Sequence, residues 1–285
     1  MCYTCYVFGG AFMNYKLIAS DLDGTLLYDV FTVSGENYRA IEEYTKMGGN
    51  LVPASGRSFY SITKELRECK DIRYFISSNG AVVSDNKTGE RDEVLISNEL
   101  FEKLMNLTLE YETFHTLHFD GFNFMLKEND SEEKAAYYNL NKYYYIHYHK
   151  TCKMLEKWEG AFSHGNGVEM ASIFFRSQEE LDECVERINA LGGLLVTSSA
   201  DFNIEVMATG ASKGDGVRRL AKKLGIPIEE TIGVGDSRND MALLDGVGLP
   251  LAVSNATDAL KAKAAKIICS HREHIIRYIL DNIIE

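Results

Sequence analysis

The sequence predicts an α/β fold, a parallel sheet covered by helices with an α+β region inserted into it. Three observations carry that expectation. Short apolar runs alternate with capped helical segments over residues 16–80 and again after residue 211, the rhythm of βαβ units. Between 97 and 207 the rhythm changes to paired strands with single helices, as in an antiparallel sheet. Acidic and glycine-bearing turns fall directly at the ends of the apolar runs, where open α/β sheets bind their ligands.

The elements follow in order. Lys16–Ser20 (KLIAS) is an apolar strand that ends in Asp21. Ser34 can cap a helix to Met47, closed by Gly48-Gly49. Asn50–Ala54 is the next strand, a helix is expected from Ser58 to Cys69, and Tyr74–Ser77 is a third strand ending in Ser78-Asn79-Gly80. Ala81–Ser84, a turn at Asp85–Gly89 and Val94–Ile96 form a hairpin. In the changed region, Ser97 caps a helix to about Glu112, and Gly121 separates strands Thr113–Phe119 and Phe122–Leu126. Residues 131–160 are polar and aromatic and carry no periodicity that assigns them. Val168–Phe175 is a strand, Ser177-x-x-Glu180 a capping box opening a helix to Leu191, and Leu194–Thr197 with Phe202–Met207 a strand pair. The parallel rhythm resumes with a helix from Ser212 to Leu224 that Gly225 ends, and with strand Thr231–Val234. After Gly235-Asp236 come a helix through Leu244, strand Leu249–Val253, a helix opened by Thr257, strand Lys266–Cys269 and a terminal helix behind the box Ser270-x-x-Glu273.

Composition bounds the function. At 285 residues and 45% hydrophobic, the chain exceeds the usual size of one core, so one large or two modest domains are expected. Its 42 acidic residues outweigh 30 basic ones for a net charge of −12, which disfavours nucleic acid and anionic membrane surfaces as partners. Any phosphate must therefore meet local positive charge or a metal ion. The six cysteines have no framework spacing and read as free thiols of a reducing, cytoplasmic compartment; Cys2-x-x-Cys5 finds no second pair. Residues 1–12 are apolar but too short to span a bilayer and lack a basic leader, so they read as an extension outside the fold.

Four motifs carry the chemistry. In Asp21-Leu22-Asp23-Gly24-Thr25, carboxylates at i and i+2 of an extended chain project to one side. Two such neighbours favour one ionised nucleophile and one protonated acid. Gly24 allows a sharp turn and Thr25 offers a hydroxyl. Ser55-Gly56-Arg57 supplies a hydroxyl beside a glycine-freed amide at a second strand end. Lys213 stands at a helix start, where amides and cation together favour an anion. Gly235-Asp236-Ser237-Arg238-Asn239-Asp240 adds two carboxylates after a third strand. Singly, each has a bland alternative: a solvated turn, a capping serine, a surface lysine. Their joint appearance in this order at strand ends favours one phosphate site.

With Ser78-Asn79-Gly80-Ala81 and Leu251–Ala256, these motifs resemble the haloacid dehalogenase (HAD) superfamily, and within it the Cof-like phosphatases of subclass IIB, over about Lys16 to Ala256. The resemblance implies a Rossmann-like core of residues 13–97 and 208–285 with a cap of residues 98–207 that sets substrate specificity. It also implies a Mg²⁺-dependent phosphatase of small phosphorylated metabolites, sugar phosphates foremost. In that scheme Asp21 attacks phosphorus to form an aspartyl-phosphate, and Asp23 protonates the leaving oxygen and then activates water. Thr25, Ser55, Gly56, Lys213 and Asn239 would hold the phosphoryl group. Asp21, Asp236 and the Asp23 carbonyl would hold Mg²⁺, with Asp240 in support. Oxygen ligands suit such a hard ion.

Three features depart from the family pattern: the extension 1–12, Pro53 in a strand expected to be central, and SHREHI at Ser270–Ile275 in place of an acidic-Asp-Gly-Val stretch. The six tyrosines of 137–148 are read as a packed cap rather than as a pocket lining, and His115, His118, His147 and His149 as ordinary histidines. Arg57 and Arg238 stay open between phosphate and acidic partners. A phosphomutase on the same fold and a non-catalytic phosphometabolite-binding regulator remain as alternatives. Isomerised ester rather than free phosphate would reveal the first, and absence of Mg²⁺-dependent hydrolysis the second. No motif sets an oligomeric state.

Overall fold

The computed structural model describes residues 13–158 and 167–284. The expectations for residues 1–12, Cys2 and Cys5 included, therefore lie outside the described residues. The chain opens with β1 (Leu17–Ser20), α1 (Gly35–Lys46), β2 (Asn50–Pro53), α2 (Lys64–Arg67) and β3 (Tyr74–Ser77), then β4 (Val82–Asp85) and β5 (Arg91–Glu93). The insert comprises α3 (Asn98–Thr108), β6 (Thr113–Phe119), β7 (Phe122–Leu126), α4 (Glu132–Tyr137) and α5 (Lys142–Thr151). It continues through β8 (Cys152–Leu155), β9 (Met170–Phe175), α6 (Gln178–Leu191), β10 (Leu194–Thr197) and β11 (Asn203–Ala208). The closing part holds α7 (Lys213–Leu224), β12 (Thr231–Gly235), α8 (Met241–Asp245), β13 (Leu249–Val253), α9 (Asp258–Lys263), β14 (Lys266–Ile268) and α10 (Ile275–Asn282).

Five parallel strands form one sheet in the order β14-β13-β12-β1-β2, and an Ala54–Ile76 bridge ties β3 to its edge. Both faces are covered by helices, so β1 and β12 are buried at every residue and read as unbroken apolar runs. The chain leaves β1 for β2 on one side and returns as β12 on the other, which puts a topological switch point at the end of β1. Pro53 costs this sheet no ladder bond. The Ala54 amide donates to Ser20 O at 2.8 Å, so the Pro53 nitrogen faces β3, where a single bridge replaces a ladder.

The insert folds as a second sheet, ordered β10-β11-β9-β6-β7-β8 and antiparallel except for β7–β8. Its registers divide the strands into two faces. Leu117, Ala171, Ile173, Phe175, Ile204 and Val206 form one face and pack with Phe101 and Leu104 of α3 and Cys184 and Ile188 of α6. The other face starts apolar, with Phe114, Met125 and Phe174 under Leu140 and Tyr148, and turns polar at His118, Asn123 and Glu205.

Several expected elements shift for identifiable reasons. The helix expected at 58–69 is only a 3₁₀ turn at Phe59–Ser61 plus the single turn α2. The Tyr60 amide is drawn to Gly121 O in the insert at 2.8 Å, and Ile62 and Thr63 are extended. The hairpin's second strand is Arg91–Glu93 rather than Val94–Ile96. The helix expected to reach Glu112 ends at Thr108, whose carbonyl accepts from Thr113 Oγ1 at 3.0 Å. Ser270 and Glu273 close a turn instead of a helix start, and α10 begins after His274, with the Ile276 amide donating to Asn37 Oδ1 at 3.0 Å. The unassigned stretch supplies α4, α5 and β8. Tyrosines and histidines on every side of α5 hide its helical period.

Candidate active site

Asp21 follows β1 directly, and its amide donates to Val234 O of β12 at 2.9 Å, which fixes the loop over the switch point. Two residues on, Gly24 turns the chain at φ +78°, and a side chain there would come within 2.5 Å of Asp236 Oδ2. Lys213 is the first residue of α7. The Ser212 hydroxyl accepts from the Asp215 amide and the Asp215 carboxylate accepts from the Ser212 amide, so a reciprocal cap sets that helix start. From there Lys213 Nζ donates to Asp21 Oδ1 at 2.7 Å and to Asp240 Oδ1 at 2.6 Å. The other Asp240 oxygen accepts from the amides of Asp236 at 2.9 Å and Ser237 at 3.1 Å.

Oxygens of Asp21, Asp236 and Asp240 lie within 4.8 Å of one another. Asp240 is already engaged at both oxygens, whereas Asp236 Oδ1 is buried without a partner. Burial, then the charge of Asp240, pushes the Asp21 carboxyl well above its ordinary range despite Lys213. The same causes push Asp236 up to about 7. Lys213 is held above its ordinary value: burial opposes this, but Asp21 and Asp240 outweigh it. Asp21 and Asp236 together are thus short of positive charge.

A cavity enclosing about 120 Å³ opens above this cluster. The structure brings Asp21, Asp23, Ser55, Gly56, Asp236 and Asn239 into its lining, and Lys213 and Asp240 stand directly behind Asp21. Ser55 is fixed by its amide on Ile76 O at 2.9 Å, and Asn239 by Ser237 Oγ at 2.8 Å. Thr25 is not brought there. Beyond the left-handed turn at Gly24 it is fully buried, away from the lining, with its hydroxyl unpartnered. Arg238 also lies outside the lining.

Asp23 differs from the protonated acid expected of it. Arg57 grips both its oxygens, Nε to Oδ2 at 2.9 Å and Nη2 to Oδ1 at 2.5 Å, and Tyr143 of α5 donates its hydroxyl to the same carboxylate. Burial raises the Asp23 pKa, but the Arg57 charge and hydrogen bonds outweigh it and hold the carboxyl below its ordinary range. Arg57, open at the level of sequence, therefore pairs with an acid and also donates to Val30 O at 2.7 Å.

The insert supplies the opposite wall, which sequence reasoning missed. Of the six tyrosines expected to be packing, Tyr143, Tyr144 and Tyr148 line the cavity, as do His118 and His147. Asn123 and Glu205 join them from mid-strand positions. Glu205 accepts from Asn79 Nδ2 and from Ser199 Oγ, both at 2.6 Å, and so links insert to core. The one available signal was polarity inside strands: His118, Asn123 and Glu205 occupy positions that an ordinary sheet core fills with apolar side chains.

Comparison with known proteins shows the family of the chain. The chain is 28% identical to phosphatase YwpJ of Bacillus subtilis, over 94% of this chain and all of that protein. It is 27% identical to the 5-amino-6-(5-phospho-D-ribitylamino)uracil phosphatase YcsE of the same organism, covering 88% of this chain and 89% of the relative. A solved haloacid dehalogenase-like hydrolase from B. subtilis superimposes with a TM-score of 0.80 at 27% identity, over 94% of this chain and 99% of that one. The family model for haloacid dehalogenase-like hydrolases matches residues 18–280, and the chain belongs to that family.

Proposed function

We propose that this hydrolase is a Mg²⁺-dependent phosphatase of small phosphorylated metabolites, sugar phosphates foremost, that works through an aspartyl-phosphate on Asp21. The observation that carries the reading is the grouping of Asp21, Asp23, Lys213 and Asp236 around one cavity at the switch point. Two parts of it fit a divalent cation: the unpartnered Asp236 Oδ1, and the raised pKa values of Asp21 and Asp236, which mark a site short of positive charge. Asp21, Asp236 and the Asp23 carbonyl would hold Mg²⁺, whose charge would offset that of the transferring phosphoryl group.

Lys213 orients the Asp21 carboxylate through Oδ1 and neutralises part of the charge behind it. An oxygen of Asp21 attacks phosphorus as the ester P–O bond breaks, and the leaving oxygen takes its proton from Asp23. A phosphate dianion entering beside Asp23 opposes the effect of Arg57 and favours that proton. In the second half Asp23 accepts a proton from water, which attacks the aspartyl-phosphate and releases phosphate. Ser55, the Gly56 amide and Asn239 line the cavity where phosphoryl oxygens would be held. All these parts are needed: monoester hydrolysis can require acceleration near ~10²¹-fold, and general acid catalysis supplies about 10²–10⁴. Residues 98–207 act as the cap over a core of 13–97 and 208–285. The substrate class draws support from YcsE, named for a phosphorylated ribityl compound.

A panel of phosphorylated metabolites, with p-nitrophenyl phosphate as a generic ester, tests this reading with and without Mg²⁺. Phosphate release that requires Mg²⁺, together with a melting temperature that rises with Mg²⁺ in the absence of substrate, is expected. Isomerised ester without free phosphate would point to a mutase. No Mg²⁺-dependent turnover of any ester across pH would sink the enzymatic reading.

A further inference from the structure

The cap wall of the cavity carries two buried polar atoms that the protein leaves unmatched. Asn123 on β7 and His147 on α5 both line the cavity and are both more than nine-tenths buried. Neither Asn123 Oδ1 nor His147 Nδ1 has a hydrogen-bond partner. Such groups carry a desolvation penalty unless something meets them. Their neighbours are already engaged. His118, which faces Asn123 across the β6–β7 hairpin, meets Ser78 Oγ through Nδ1 at 3.1 Å, and Tyr144 donates to Ser199 Oγ at 2.9 Å. Burial, then the nearby Arg57 charge, keeps His147 neutral, so its ring offers one donor and one acceptor.

Charge in this wall is one-sided. Glu205 is there, with both oxygens hydrogen-bonded. Among the described residues Arg57 is the one Lys or Arg in the lining, and its guanidinium is committed to Asp23 and Val30 O. Lys213 serves the phosphoryl end from behind Asp21. The far end of a bound ester meets neutral donors and acceptors, one carboxylate and no free cation.

Resting on the phosphatase reading, we propose that Asn123 and His147 are specificity residues that bind the hydroxyls of an uncharged, polyhydroxylated leaving alcohol, and that this wall rejects esters carrying a second anion. A hydroxyl both donates and accepts, so one diol can satisfy Asn123 Oδ1 and the imidazole together. An alkyl leaving group leaves both unmet. A carboxylate or second phosphate faces Glu205 without a counter-charge.

The test compares kcat/KM of the wild-type protein with Mg²⁺ for ribitol 5-phosphate, n-pentyl phosphate, 6-phosphogluconate and p-nitrophenyl phosphate. Ribitol 5-phosphate should exceed n-pentyl phosphate, and 6-phosphogluconate, by about 100-fold or more, because a site built for hydroxyls discriminates strongly against their absence. In Asn123→Ala and His147→Ala the ribitol-to-pentyl ratio should contract by about tenfold, through KM for the polyol ester. Asn123→Leu, which keeps the volume, guards against a folding defect, and near-UV circular dichroism reports the fold. Equal rates for the ribitol and pentyl esters, 6-phosphogluconate turned over as well as the polyol ester, or an unchanged ratio in folded variants overturns the proposal. Absence of Mg²⁺-dependent phosphate release from all four esters would instead remove the phosphatase reading beneath it.

Discussion

The two halves of this molecule place their functional side chains by different rules. In the parallel core every such residue stands just past a strand or at a helix start: Asp21 after β1, Ser55 near the end of β2, Asp236 after β12, Lys213 opening α7. In the cap, His118, Asn123 and Glu205 stand within strands, on a sheet face. The difference follows from burial. A parallel sheet covered by helices on both faces has no free face to offer, so ligand groups collect at strand ends. The cap sheet packs α3 and α6 on one face, and on the other the part not covered by Leu140 and Tyr148 roofs the cavity.

If the core holds the chemistry and the cap reads the substrate, the largest effect belongs to Asp21→Asn. Removing a covalent nucleophile should cut phosphate release by at least ~10⁴-fold, while circular dichroism and melting show a folded protein. Near-normal turnover would break the division of labour. A smaller effect separates the halves by pH. Burial holds His115 near 4 and His118 near 3, below the ordinary histidine value. The unfolded chain therefore binds those protons first as pH falls from about 6.5 toward 4, and the cap loses stability, by about 1.4 kcal/mol per pH unit for each full proton. Asp236 has the opposite sign. Its folded value near 7 lies above the unfolded one, so the metal-free core gains stability as pH falls through the same window. Hydrogen exchange on the metal-free protein should accelerate in β6 and β9 before β1 and β12, and the reverse order would contradict this assignment. The smallest effect is Ser212→Ala. Losing the α7 cap should cost about 1 kcal/mol of stability, read by denaturant melting, with most activity retained because Lys213 keeps its two carboxylate partners.

Legibility in the sequence followed the same division. Core strands and caps such as Ser34, Ser97 and Ser212 stand where their local chemistry puts them, since an apolar run or a capping hydroxyl acts within a few residues of itself. The segment 58–69 failed for the converse reason: its helix yields to a hydrogen bond from Tyr60 to Gly121, a partner far along the chain. Thr25 neighbours Asp21 and Asp23 in sequence, which suggests a phosphate ligand, yet the turn at Gly24 carries it into the interior. The tyrosines of α5 looked like packing until tertiary folding set Tyr143 against Asp23.

By itself the sequence determined the alternating architecture, the interval that interrupts it, and the residues that end the core strands, because these depend on periodicity and on contacts short in sequence. Only the tertiary structure decided that Arg57 would clamp Asp23, that Asp236 would keep an unmatched oxygen, and that Asn123, His147 and Glu205 would share a cavity with Asp21. Those outcomes join residues tens to hundreds of positions apart. Which side chains meet across such separations is set by sheet order and by how the cap sits on the core, and neither is written in any local pattern.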